Sequence, residues 1–174
     1  MYFEAKIDGL DELIRQLDGD LLYKTQKRTT TEIGRAFRTK VIKDVRKRYN
    51  IKAKDLKSKM SSRFVATSRG FEWRMVVRSK RLSVSHFSPK KNKRGVSLLV
   101  RRDRGRRTIK NAFIAKGQVF MRKGKDRLPI KALKTLSAPQ MFRDEIVESA
   151  LEKAKADYPK KFRHNLAYYM GKIK

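Results

Sequence analysis

The chain has no cysteine among its 174 residues. That excludes a disulfide framework, thiolate zinc sites and cysteine-held iron–sulfur clusters. Acids are scarce as well, with 17 Asp and Glu against 47 Lys and Arg, for a net charge of +30. Long apolar runs are missing: the longest stretches free of Lys, Arg, Asp and Glu are eight residues, such as 82–89 and 164–171. A membrane-spanning helix needs about 20 apolar residues, so no membrane partner is expected. The beginning of the chain, with Glu4 and Asp8 close behind Met1, lacks the basic-then-apolar order of a signal peptide. The expectation is a soluble protein made and kept in a cytoplasm-like compartment.

Catalytic residue types are equally thin. The two histidines, His86 and His164, stand in different segments without HExxH spacing. There is no GxSxG elbow and no GxGxxG. Gly117 and Gly124 are separated by six residues and followed by Lys125-Asp126, where a Walker loop needs four and then Lys-Ser/Thr. The middle of the chain has too few carboxylates to surround two metal ions. The reading is a non-enzyme with no catalytic residues, no cofactor and no metal.

What is present is a core and a concentrated charge. Apolar residues make up 39% of the chain, with one Trp, nine Phe and six Tyr, enough for a packed domain rather than a disordered basic tail. Between Leu56 and Phe142 there are 25 Lys and Arg and three acids, Glu72, Asp103 and Asp126. Such a field repels copies of itself and gathers polyanions, nucleic acid foremost and acidic protein surfaces second.

Periodicity supplies the elements. Phe3–Ile7 alternates weakly, as a short edge strand would, and Leu10, Leu13, Ile14 and Leu17 follow at helical spacing with Asp8 as N-cap. Ile33, Phe37, Val41, Val45 and Tyr49 recur every four residues, which predicts one long helix from Leu21 to about Tyr49. A helical turn is expected at Ala53–Met60. From Ser61 the period becomes two: Phe71, Trp73, Met75 and Val77 form a half-buried strand, with Arg63–Thr67 its hairpin partner through Ser68-Arg69-Gly70. Ser88–Gly95 reads as an exposed loop. Val96–Val100, Thr108–Ala115 and Val119–Arg122 read as strands, and a helix is expected from Met141 to Ala156. Asp157 then caps a separate terminal helix with Pro159 in its first turn. The result is a single α+β domain over residues 1–174. It has a helical arm (1–60), a basic antiparallel β region forming a small sheet or sandwich (61–136), and C-terminal helices (137–174).

Two basic clusters are the candidate contact residues. Arg101, Arg102, Arg104, Arg106 and Arg107 crowd a turn around Gly105, where Asp103 cannot neutralise them all. Guanidinium groups suit bidentate contact with phosphate or carboxylate. Lys90, Lys91, Lys93 and Arg94 form a looser second patch. A third feature, Arg69-Gly70-Phe71-Glu72-Trp73-Arg74-Met75-Val76, echoes the aromatic strand of RNA-recognition motifs. Glu72 stands where Gly or Ala is needed and the last aromatic is missing, so it reads as a core strand.

The stretch Arg48-Tyr49-Asn50-Ile51-Lys52-Ala53-Lys54-Asp55-Leu56 resembles the phage minor tail protein Z family, tail-completion proteins of long-tailed phages and prophages. Three more segments fit in the same order: Arg107–Ala115, Gly124–Lys131 and Ser137–Phe142. Ile7–Leu13 looks like the beginnings of such proteins. The resemblance covers residues 48–142 well and the N-terminus loosely. It implies a structural virion protein at the head-proximal end of the tail, present in host cytoplasm during assembly. The implied partners are tail tube or terminator and head-connector proteins, with nonspecific phosphate contact to genomic DNA and a homo-oligomeric ring, commonly a hexamer. The alternative is a free nucleic-acid-binding protein, associated with ribosomes or nucleoid.

Overall fold

The computed structural model describes residues 19–67 and 70–172. The expected strand at Phe3–Ile7, the first short helix and the turn residues Ser68 and Arg69 lie outside the described residues. What is described is an α+β fold: two long helices, one short helix and small antiparallel sheets. The residues divide into two compact units. Among the described residues one gathers 19–41, 61–67, 70–76 and 144–172; the other gathers 42–60 and 77–143.

Helix α1 (Gly19–Arg48) has Asp20 in its first turn and Arg46, Lys47 and Arg48 in its last, each charge opposing the helix dipole. Its four-residue row is the buried one: Phe37, Val41, Val45 and, just beyond the helix, Tyr49 are all under a tenth exposed. In the first unit α1 packs against α3 (Asp144–Met170). Thr29 meets Asn165 and Lys40 meets Ser149, so the two helices run antiparallel. Leu22, Tyr158 and Phe162 form a buried cluster with Ile33 and Leu166 against it. The threonines that weaken helix propensity have a packing role: Thr25 and Thr29 are fully buried. Asn165 donates to Thr29 Oγ1 at 3.0 Å and to Glu32 Oε2 at 3.4 Å. Burial pushes the Glu32 carboxyl up, but hydrogen bonds from Arg28 and Asn165 and the charges of Lys161 and Arg28 outweigh it and leave it below the ordinary range.

One helix stands where two were expected. The predicted break at Asp157 does not occur, and Pro159 lies inside α3. An interior proline removes one hydrogen bond and costs about 3 kcal/mol. Val147 and Ala150 before it, and Tyr158, Phe162 and Asn165 around and after it, are all buried. Packing on both sides of the proline therefore holds the helix together against its local preference.

Strands β1 (Met60–Thr67) and β2 (Gly70–Val77) form a two-stranded sheet, antiparallel because only two residues join them. The aromatic face of β2 meets α1: Phe71 lies edge-on to Tyr23 at 5.1 Å and stacks on Phe64 at 5.3 Å, and Trp73 meets Phe37 at 6.1 Å. Trp73 also packs directly against the helix at Gly34. A Cβ there would overlap the indole ring at Cγ and Cδ2.

The second unit holds the end of α1, α2 (Ala53–Lys57) and eight short strands. They are β3 (Arg81–Ser83), β4 (Lys90–Asn92), β5 (Gly95–Leu98), β6 (Arg107–Lys110), β7 (Ala112–Ala115), β8 (Gln118–Arg122), β9 (Ile130–Ala132) and β10 (Lys134–Ser137). Sheets β4-β5-β6 and β7-β8-β9 are antiparallel, and β10 pairs with β3. Their shared core is Val84, Val96, Leu98, Ala112 and Val119, with Val100, Ile109 and Leu133 packed on it.

Two strand expectations need correction. Thr108–Ala115 is not one strand: Asn111 adopts a left-handed φ of 58° and separates β6 from β7, a conformation that asparagine tolerates. Residues 88–95 are exposed as expected but are not a plain loop, since Lys90–Asn92 pairs with Gly95–Ser97 as a hairpin. An edge strand of lysines also discourages pairing with another chain.

The Gly34–Trp73 contact can be tested by sign. In an exposed helix Gly→Ala stabilises by about 1 kcal/mol; Gly34→Ala is expected to destabilise by about 1–3 kcal/mol in urea unfolding, because the methyl overpacks the ring. In a Trp73→Ala background the same change should become neutral or favourable. A stabilised Gly34→Ala single variant would show that the contact is not made.

Candidate polyanion-contact surface

The second unit carries 29 Lys and Arg against four acids, Asp44, Asp55, Asp103 and Asp126. Asp44 pairs with Lys47 at 2.9 Å, Asp55 faces His86 at 3.2 Å, and Asp103 takes Arg101. Carboxylates therefore cannot account for where most of the cations go.

The arginine turn is the first case. Between β5 and β6 the chain forms a 3-10 turn, Arg102–Arg104, and leaves it at Gly105 with a φ of 67°, as the glycine there suggested. Its five arginines divide into two groups. Arg101 makes a two-point contact with Asp103, Nε to Oδ1 at 2.9 Å and Nη2 to Oδ2. That hydrogen bond, against some desolvation, holds the Asp103 carboxyl below its ordinary 3.8. Because the folded value is the lower one, any stabilisation from the pair is complete above about pH 4 and fades only as acid approaches that lower value. Arg102 donates through Nε to the Arg46 carbonyl at 3.0 Å, satisfying a carbonyl in the last turn of α1. Arg106 donates through Nη2 to the carbonyls of Ser88 at 2.7 Å and Ser97 at 3.0 Å. Arg104 and Arg107 are exposed and make no side-chain hydrogen bond or ion pair among the described residues.

The second case is the sheet β4-β5-β6. Its register pairs Lys90 with Ser97 and Ser97 with Thr108, Asn92 with Gly95 and Gly95 with Lys110. Paired residues share a face, so these six stand on one side. Val96 and Ile109, paired with each other, turn to the core side. The two-residue hairpin turn, Lys93-Arg94, adds two cations at the end of the outer face. Asn92 fixes that end: its Oδ1 accepts the Arg94 backbone N–H at 2.8 Å and its Nδ2 donates to Thr108 Oγ1 at 3.3 Å. Asn92, Lys93, Arg94, Thr108 and Lys110 line an open concavity of about 570 Å³.

Sequence reasoning named Lys90, Lys91, Lys93 and Arg94, which the structure gathers on β4 and its turn. Lys91 pairs with Val96 and so stands on the opposite side from Lys90. Of the five arginines of 101–107, three are held by oxygen atoms of the fold and two, Arg104 and Arg107, are not. Lys110, Thr108 and Asn92 were missed. The alternation of Thr108, Ile109 and Lys110 gave their common face, but only the pairing of β4, β5 and β6 brings them to Lys93 and Arg94. Among the described residues no three His, Asp or Glu side chains cluster closely enough to hold a metal ion. No helix among them is long and apolar enough to cross a membrane. No protein-family model, curated protein or solved structure matches the chain.

The division of the arginines predicts a stability difference. Arg106→Gln removes a charged donor shared by two carbonyls and should lower the unfolding free energy by about 0.5–1.5 kcal/mol. The double variant Arg104→Gln/Arg107→Gln should stay within about 0.5 kcal/mol of the parent. Urea titration of both measures it; equal losses would erase the distinction.

Proposed function

We propose that the chain is a non-enzymatic structural component of a phage virion. It completes the head-proximal end of a tail and helps join tail to head around the DNA path. The observation that carries this reading is a coincidence of position. Four of the five segments that resemble tail-completion proteins fall in the compact unit formed by 42–60 and 77–143; the fifth, Ile7–Leu13, lies outside the described residues. Arg48–Leu56 is the junction of α1 and α2, Arg107–Ala115 is β6 and β7, Gly124–Lys131 leads from the β8–β9 connection into β9, and Ser137–Phe142 spans the final 3-10 turn. That same unit holds 29 of the 47 cations. A protein bordering a DNA passage needs a surface tolerant of phosphates, without base readout.

On this reading the chain assembles as a ring, a hexamer being the usual arrangement, against tail-tube or terminator and connector proteins. It is virion-bound after passing through host cytoplasm. The exposed cations of β4 and β6 also favour a second reading, a free nucleic-acid-binding protein. Tight binding by the isolated chain that survives physiological salt and saturates at a defined site size would select it.

Quantitative peptide mass spectrometry on density-purified, nuclease-treated particles tests the first reading. A small fixed copy number per particle, matching other ring components, is the expected result. Absence from intact particles would refute it.

A further inference from the structure

We propose that the concavity on the outer face of β4-β5-β6 is a phosphate-binding surface that takes the backbone of duplex DNA, with Lys93, Arg94 and Lys110 as its cations and Thr108 as a neutral donor. The inference gives a location to the DNA contact of the proposed function and rests on that reading for its biological setting. Its chemistry stands on the site itself.

Three features make the concavity suited to phosphate. First, its lining is one-sided: Asn92, Lys93, Arg94, Thr108 and Lys110 include three cations and no carboxylate. None of the three makes a side-chain hydrogen bond or ion pair among the described residues. Several cations on α3, by contrast, are engaged: Lys153 meets Asp157 at 3.1 Å, Lys155 meets Glu152 at 3.5 Å and Lys161 meets Glu32 at 3.6 Å. Second, the neutral groups are oriented by one another. Asn92 Nδ2 donates to Thr108 Oγ1 at 3.3 Å, so the oxygen serves as acceptor and the hydroxyl proton is left to donate outward. The other end of the same amide accepts the Arg94 N–H at 2.8 Å and fixes the turn bearing Lys93 and Arg94. Third, the concavity is open, and Lys90 extends the same face along the strand. A buried pocket would enclose a single small anion. An open row of cations on a sheet suits a repeating phosphodiester, whose contacts fix position without reading sequence.

The arginine turn has a different role. Arg101, Arg102 and Arg106 are held by Asp103 and by backbone carbonyls. Arg106 grips Ser97, which is paired with both Lys90 and Thr108, so the turn braces the sheet that carries the contact.

The test is fluorescence anisotropy of the full chain with a short labelled duplex of random sequence, over a salt series from about 50 to 200 mM. The triple variant Lys93→Gln/Arg94→Gln/Lys110→Gln should bind more weakly, with its log–log salt slope shallower by about 0.9 per cation removed, or about 2.7 in all. A charge-matched variant on α3, Lys153→Gln/Lys155→Gln/Lys160→Gln, should keep nearly the parent slope. If the triple variant melts early, Lys93→Gln/Arg94→Gln, confined to the exposed turn, should show about two-thirds of the change. Inorganic phosphate added at constant ionic strength should leave duplex binding unchanged. A parent slope in the concavity variants, or an equal drop in the α3 variant, would overturn the proposal. Displacement by inorganic phosphate would overturn it in favour of a small-anion site. Failure here leaves the virion copy number untouched, and absence from virions leaves this salt slope untouched, so the two readings fail separately.

Discussion

Like charge is the constraint under which the second unit folds. With 29 cations and four carboxylates, ion pairing cannot organise it. Two like charges 4 Å apart repel by about 1 kcal/mol in water and about 4 kcal/mol near a protein surface, so the cations must stand outward and apart. Beneath them lies an apolar cluster, Val84, Val96, Leu98, Ala112 and Val119. Where an arginine is held in place, its acceptor is usually a backbone carbonyl: Arg46 reaches Ile51, Arg102 reaches Arg46, and Arg106 reaches Ser88 and Ser97. Carbonyl oxygens anchor these side chains without cancelling their charge, so the field survives folding.

The other unit is held differently. Outside the basic unit the sequence carries 18 Lys and Arg against 13 acids, and the two long helices are joined there by hydrogen bonds and rings as well as by aliphatic packing. Asn165 links α3 to Thr29 and Glu32 of α1, and the aromatic face of β2 lies on α1 with Trp73 against Gly34.

Much of this was legible in the sequence because apolar spacing records burial. The four-residue row from Ile33 to Tyr49 gave α1, the alternation from Phe71 to Val77 gave β2, and the arginine-flanked Gly105 gave a turn. The failures occur where long-range packing decides. Pro159 reads as a helix start but is overridden by buried neighbours on both sides. Asn111 breaks a strand that alternation would continue. The basic face was half legible: the lysines of 90–94 are visible as a run, whereas Lys110 and Thr108 join them through strand register, which no local pattern encodes. The arginines of 101–107 look equivalent in sequence, and only the acceptors around them separate Arg101, Arg102 and Arg106 from Arg104 and Arg107.

The most direct check on the division between bracing and contacting cations is amide chemical-shift mapping by NMR as duplex DNA is added to the intact chain. The largest changes are expected at Asn92–Gly95 and Thr108–Lys110, with small ones along α3. Changes centred on α3, or spread evenly over every exposed lysine and arginine, would contradict a defined phosphate-contact face.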